Sequence, residues 1–266
     1  MMRKLRTSPA KINLFLYVIG RDIRGYHKLQ SLFCLIPNLY DSLYFEDSHK
    51  LEVVSNIVNN LVTKAAIACG VNDMRITLKK NIPMGAGLGG GSSNAATTLL
   101  EIGRRLNITR DDLISKKIGD DVEFFLYEKN SMYFDCDECH EVELGFELEI
   151  VLVKPDFSIN TKEVYDLLRN EIKSDQLHPV VDITNLKHYI FNGENQLYLF
   201  ALRVDRRLDI VISILNSCHG IIASRMTGSG SSCFGIFNSS ESAIAAVKAI
   251  KNLYPKWFIH YCRLQI

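Results

Sequence analysis

Pro83-Met-Gly-Ala-Gly-Leu-Gly-Gly-Gly-Ser-Ser93 holds five glycines and two serines in eleven residues. It runs into Asn94-Ala-Ala-Thr-Thr-Leu-Leu100, which reads as the start of a helix reaching about Leu106. Glycine loses more conformational freedom on folding than any other residue, so five of them need a reason. The usual reason is that the backbone lies against a ligand or takes up positive φ. The loop feeds a helix N-terminus, where unpaired N–H groups and the helix dipole attract anions. A phosphate is the natural guest.

Other readings of the loop fit less well. A flexible linker seldom ends in Ser-Ser at a helix start with small Ala95 and Ala96 behind. A nucleoside-triphosphatase loop needs Lys after its glycines, and none follows here. Gly85-x-Gly87-x-x-Gly90 matches the dinucleotide fingerprint, a weak signal when alone. That fingerprint expects a strand running straight into the glycines and a second buried strand after the helix. Residues 74–80 read as a strand, but Asn81-Ile82-Pro83 separates it from the glycines. After the helix comes Asn107-Ile-Thr-Arg-Asp-Asp112, where Thr109 and Asp112 resemble a capping box opening a short helix through Ile118.

Outward from the loop, strands and helices mix without a strict βαβ rhythm, so the expected class is α+β. In residues 10–18, Ala10, Ile12, Leu14, Leu16 and Val18 share one strand face. Lys11 and Asn13 share the other, which is either a solvated face or a functional one. Residues 20–27 read as a loop. A strand over 31–36 should end at Pro37, with another over 41–46. Residues 58–69 read as a helix closed by Gly70. Asp120 and Asp121 stand at a turn before an apolar run. Residues 149–154 form a buried-type strand bounded by Pro155, and a domain boundary is drawn there, giving domains 1–153 and 154–266. The remainder predicts helices over 162–172, 195–203 and around 211–215. A second glycine-serine loop leads into a strand within 224–237, followed by a helix over 239–252 and a last strand over 257–264.

Lys and Arg number 31 against 30 Asp and Glu, so nothing argues for nucleic acid or an anionic membrane as a partner. No signal core follows the basic start and no stretch suits a bilayer span, so the cytoplasm is the expected location. Seven scattered cysteines suit a reducing compartment. Cys136-Asp-Glu-Cys139-His140 fits a haem-attachment pattern, but that chemistry follows export. No second Cys/His pair sits at zinc-finger spacing, so an acidic hairpin loop is expected and no metal is assigned.

Pro83-x-x-x-Gly-Leu-Gly-Gly-Gly-Ser-Ser93 resembles the signature of the GHMP kinases, named for galactose, homoserine, mevalonate and phosphomevalonate substrates. Ser8-Pro-Ala-Lys-Ile-Asn-Leu-Phe-Leu16, Gly25-Tyr-His27 and Gly119-x-Asp-Val122 narrow the resemblance. The matching branch acts on a cytidine diphosphate derivative of methylerythritol, in the non-mevalonate isoprenoid pathway. Thr161-Lys-Glu-Val-Tyr165 and Thr227-Gly-Ser-Gly230 are similar as well, so the resemblance spans nearly the whole chain.

The resemblance implies a two-domain kinase that moves the γ-phosphate of ATP, with Mg²⁺, to a substrate hydroxyl. It implies ATP contacts from Pro83, Met84, Gly85, Ala86, Gly87, Leu88, Gly89, Gly90, Gly91, Ser92 and Ser93, and from Asn60 at the base. Asp121 would be the general base. Lys11 would keep it ionised and stabilise the developing alkoxide. Asn13 would orient the hydroxyl, and Tyr26 and His27 would hold the cytosine. The protein would be a monomer or homodimer. Asp120 and Glu123 depart from the family pattern around the base, while the spacing to Val122 and the Phe-Phe-Leu run favours Asp121.

Overall fold

Strand β1 (Lys4–Arg21) is buried on both faces from Ala10 to Gly20, so Lys11 and Asn13 do not lie on a solvated surface. The computed structural model describes residues 3–21, 27–57, 60–114, 118–119, 121–135, 138–171 and 180–266. They fold as mixed helix and sheet, as expected. Tyr26, Asp120 and Cys136 lie outside the described residues. The chain forms two compact units that interleave along the sequence. The first holds Met1–Lys11, Ile36–Met84 and Gly89–Lys129; the second holds Ile12–Leu35, Gly85–Leu88 and Asn130–Ile266.

Strand β2 (His27–Asp47) pairs with β1 and runs unbroken through Pro37, where the sequence reading ended a strand. Proline removes one N–H donor, which matters only where the ladder needs it. Pro37 is exposed. It lies between a stretch whose sheet partner ends at Cys34 and one whose partner begins at Ser42, so neither ladder loses a bond.

In the first unit, β3 (Glu52–Val54) pairs parallel to β4 (Met74–Lys79), and β4 pairs antiparallel to β2 from Ser42↔Lys79 to Asp47↔Met74. Met74, Ile76 and Leu78 alternate inward as the period of a strand requires. They meet Leu43 and Phe45 of β2, Val62 and Ala66 of α1 (Leu61–Ala68) and Ile102 of α2 (Gly90–Leu106). Each of these side chains larger than Ala contributes roughly 1.5–3 kcal/mol when fully buried. Gly70, at φ +71°, closes α1 as expected. Thr109 caps α3 (Arg110–Ile114), its Oγ accepting the Asp112 N–H at 3.2 Å. The apolar run after Asp121 is a short helix, α4 (Val122–Leu126). Among the described residues β4 ends at Lys79, short of the glycines, and α2 is followed by the helices α3 and α4 before any strand, which does not fit the dinucleotide fingerprint.

In the second unit, β5 (Ser131–Asp135) pairs with β2 from Gln30↔Asp135 to Cys34↔Ser131, and β6 (Glu138–Glu141) pairs with β5. A separate antiparallel sheet has the order β10-β7-β9-β8, from β7 (Glu147–Lys154), β8 (Ile221–Met226), β9 (Cys233–Phe237) and β10 (Phe258–Gln265). Its core joins Val151 and Val153 of β7 to Val164 and Leu168 of α5 (Thr161–Glu171). Ala201 of α7 (Tyr198–Val204), Val211 and Leu215 of α8 (Leu208–Asn216) and Ala246 of α9 (Ser240–Leu253) complete it. Ser239 caps α9 by accepting the Ser242 N–H at 3.2 Å. Helix α6 (Leu186–Asn192) was not foreseen. Helix α7 starts three residues later than expected because residues 194–196 instead extend beside β1: Leu16 N donates to Glu194 O and Gln196 N to Leu16 O, both at 2.9 Å.

Cys34, Cys233 and Cys262 of this unit are buried, and burial pushes the Cys34 and Cys262 thiols up to about 12 and raises that of Cys233 too. No helix among the described residues is long and apolar enough to cross a membrane.

Candidate active site

The first unit brings Lys11 and Asp121 together. Lys11 is buried on β1 and its Nζ lies 3.2 Å from Asp121 Oδ2, while the Asp121 side chain is 32% exposed. Asp121 stands at the N-cap of α4, and Val122, Phe124, Phe125 and Leu126 of that helix are buried. Their packing fixes the turn that aims the carboxylate.

Gly89 explains how a lysine reaches it. At φ +66° it is the N-cap of α2. A Cβ there would sit 2.9 Å from Lys11 Cγ and 3.0 Å from Phe125 Cζ. Only a residue without a side chain lets the Lys11 stem lie along the loop, its methylenes buried and its ammonium at the carboxylate. Sequence reasoning anticipated the pair but not this dependence on Gly89.

The serines after the glycines divide. Ser93 is fully buried and its Oγ accepts the Ser8 hydroxyl at 2.7 Å. Ser92 is half-buried at the helix start. Asn60 is the N-cap of α1: its Oδ1 accepts the Thr63 N–H at 3.0 Å and its Nδ2 donates to Ile57 O at 3.4 Å. That capping occupies much of its polar capacity.

The second unit holds the other glycine contacts. Gly87, at φ +72°, would place a Cβ 2.8 Å from Thr227 O and 2.9 Å from Gly230 O. The second glycine-serine loop therefore packs backbone to backbone against residues 85–88, and Ser232 N donates to Ala86 O at 3.4 Å. Two residues that sequence reasoning missed hold this second loop. Asn195 Nδ2 donates to Met226 O and Gly228 O, each at 2.8 Å. Buried Arg225 donates to Leu14 O and Ile190 O at 2.7 Å and to Phe191 O at 2.6 Å, joining β1 to the C-terminal carbonyls of α6. Burial lowers its pKa to about 10, so it remains a cation at neutral pH.

Asn13 belongs to this unit and is buried. Its N–H donates to Thr227 Oγ1 and its Nδ2 to Ser31 Oγ, both at 2.8 Å, and Ser31 Oγ donates to Phe15 O at 2.6 Å. His27 faces the Tyr165 ring at 5.6 Å between centroids. Its Nε2 is buried with no hydrogen-bond partner among the described residues. Burial first, then the charges of Arg21 and Arg169, hold its pKa below 6.5, so the ring is neutral at pH 7. Tyr165 received no role from the sequence, although the Thr161–Tyr165 segment carried part of the resemblance.

Residues 53–129 match the model of the GHMP kinases N terminal domain, and residues 181–256 match that of the GHMP kinases C terminal. The chain belongs to the GHMP kinase family. It is 30% identical to 4-diphosphocytidyl-2-C-methyl-D-erythritol kinase of Anaplasma marginale (strain Florida), covering 95% of this chain and 94% of that protein. It is 35% identical to the protein of the same name from Burkholderia cenocepacia (strain HI2424), over 92% of this chain and 89% of that one. A crystal structure of 4-(cytidine 5'-diphospho)-2C-methyl-D-erythritol kinase superposes with a TM-score of 0.80 at 27% identity, covering 99% of this chain and all of that one. This GHMP kinase is thus a small-molecule kinase. Within its first unit, Lys11 and Asp121 meet beside the glycine-rich loop that carries the family signature.

Proposed function

We propose that this GHMP kinase phosphorylates a hydroxyl of 4-diphosphocytidyl-2-C-methyl-D-erythritol with ATP, in the non-mevalonate isoprenoid pathway. The observation that carries the chemistry is the Lys11–Asp121 ion pair at 3.2 Å. The substrate assignment draws on the relatives of that name at 30% and 35% identity. Asp121 accepts the hydroxyl proton as that oxygen bonds to the γ-phosphorus. The bond from the γ-phosphorus to the β–γ bridging oxygen breaks and ADP leaves. Lys11 keeps the carboxylate ionised and offsets the charge that builds on the attacking oxygen.

The loop of residues 83–93 holds the ATP phosphates through backbone N–H groups, with Asn60 toward the base. The buried Ser93 hydroxyl supports the loop from behind, and Ser92 is the serine left to face the nucleotide. Mg²⁺ accompanies ATP and neutralises phosphate charge. Among the described residues no group of three His, Cys, Asp or Glu could hold a metal by itself, and the ion would enter with the phosphates of ATP. His27 and Tyr26 hold the cytosine, and Tyr165, beside the His27 ring, is the second aromatic. Asn13 orients the hydroxyl. Residues 1–153 and 154–266 correspond to the N- and C-terminal kinase domains.

The deciding experiment is ATP consumption with Mg²⁺, with and without the cytidyl substrate. Turnover that needs that substrate and is lost in Asp121→Asn supports the reading. Turnover with another alcohol alone, or undiminished in the variant, overturns it.

A further inference from the structure

The first unit contains a second lysine–carboxylate pair that phosphoryl transfer does not use. Asp41 on β2 is fully buried. Its Oδ1 accepts the N–H groups of Asn81 at 2.8 Å and Ile82 at 2.9 Å. Its Oδ2 accepts from Asn94 Nδ2 at 2.9 Å and from the Lys80 ammonium. Lys80 also donates to Asn94 Oδ1 at 3.2 Å, and Asn94 Nδ2 donates to Ser8 Oγ at 2.9 Å. A buried carboxylate is tolerated only when its lone pairs are satisfied, and here four donors converge on it.

The placement of those donors gives the cluster meaning. Lys80, Asn81 and Ile82 lead into the glycine-rich loop, and Asn94 follows its last serine. One carboxylate therefore ties together the two ends of a loop whose glycines would otherwise sample many conformations. A loop held ready loses less entropy when a ligand binds. The Lys80 Nζ also lies 3.1 Å from where a side chain on Gly90 would begin, at the first turn of α2. A cation there opposes the positive end of the helix dipole unless an anion faces it. Asp41 is that anion, and an arriving polyphosphate adds a second.

We infer that Asp41 is a positioning residue for nucleotide binding: it fastens both ends of the loop and holds the Lys80 ammonium beside the N-terminus of α2. The inference rests on the assignment of the loop to ATP phosphates. A fluorescent N-methylanthraniloyl ATP, with Mg²⁺, is titrated into the wild-type protein and into Asp41→Asn, Lys80→Met, Asn94→Ala and Glu101→Gln. Glu101→Gln is the control. That buried carboxylate of α2 pairs with Lys4 at 2.6 Å and Arg6 at 2.7 Å, so its loss destabilises the same unit away from the loop ends. Steady-state kinetics and Tm are measured alongside. Asp41→Asn and Lys80→Met should weaken nucleotide binding and raise KM for ATP by about tenfold or more, with kcat held within about threefold and KM for the alcohol unchanged. Glu101→Gln should lower Tm without moving KM for ATP. Unchanged nucleotide affinity in Asp41→Asn overturns the inference, as does a fall of all parameters in step with Tm. Should Asp41→Asn not fold, Lys80→Met and Asn94→Ala decide by the same criteria, since each keeps the carboxylate. No binding by the wild-type protein would instead remove the ATP reading of the loop.

Discussion

Asp41 and Asp121 are both carboxylates paired with a lysine in the same unit, yet their surroundings differ in the way the two proposed roles require. Asp41 is fully buried and takes four donors, two from backbone, so no lone pair is left for a reacting proton. Asp121 caps a five-residue helix, is 32% exposed and has Lys11 Nζ at 3.2 Å. A saturated carboxylate fixes structure. A carboxylate with one charged partner among the described residues and an open side can exchange a proton. The number and origin of the donors, rather than the residue type or the lysine beside it, separates the proposed anchor from the proposed base.

The comparison can be broken most directly at Asp121. Asp121→Asn should lower kcat by about 10³-fold, within the range for a lost general base, while fluorescent ATP still binds. Equal losses of turnover in Asp121→Asn and Asp41→Asn, with nucleotide affinity intact in both, would erase the distinction. Lys11→Met should lower kcat by about 10²-fold, the effect of removing one group that stabilises transition-state charge. Its KM for ATP should move much less than that of Lys80→Met.

Gly89→Ala tests how Lys11 reaches Asp121. The new Cβ would meet Lys11 Cγ at 2.9 Å on a backbone at φ +66°. The strain should lower stability by about 1–3 kcal/mol, read by denaturant unfolding, with kcat falling as Lys11 is pushed aside. The smallest effect is expected at His27, in neither pair. Its pKa is lowered from 6.5 by burial and by the Arg21 and Arg169 charges. The unfolded chain therefore binds the proton more readily. The stability His27 contributes is present above pH 6.5 and declines as pH falls from there toward the lowered value. KM for the cytidyl substrate should rise over the same window, and His27→Gln should flatten that rise while leaving KM for ATP unchanged.

Much of the frame was legible because it follows from periodicity and punctuation. The strand at 74–79 and the Gly70 stop are local signals, and the structure keeps both. Pro37 misled because the rule against proline in strands concerns a donor the ladder needs, and Pro37 lies outside the β4 and β5 ladders. Helix α6 was missed because its seven residues are too few to show a helical period. Lys11 and Asp121 were legible only through resemblance, since a lysine on a strand and an aspartate at a turn both have ordinary explanations. The Asp41 cluster was invisible for a different reason. Asp41, Lys80 and Asn94 are far apart in sequence, and each reads alone as a surface residue. Arg225 and Asn195 escaped in the same way, because their partners are backbone carbonyls, which leave no mark on side-chain patterns.

The buried thiols of the second unit give the protein an internal clock. With pKa values near 12, Cys34 and Cys262 hold almost no thiolate at neutral pH, and Cys233 is silenced likewise. An alkylating reagent can reach them only when the surrounding sheets open. Their labelling rate therefore counts opening events in that unit. Cys69, half-buried at the end of α1, reports separately on the first. Mass-resolved alkylation with and without nucleotide would thus time the breathing of each unit in one unmodified protein.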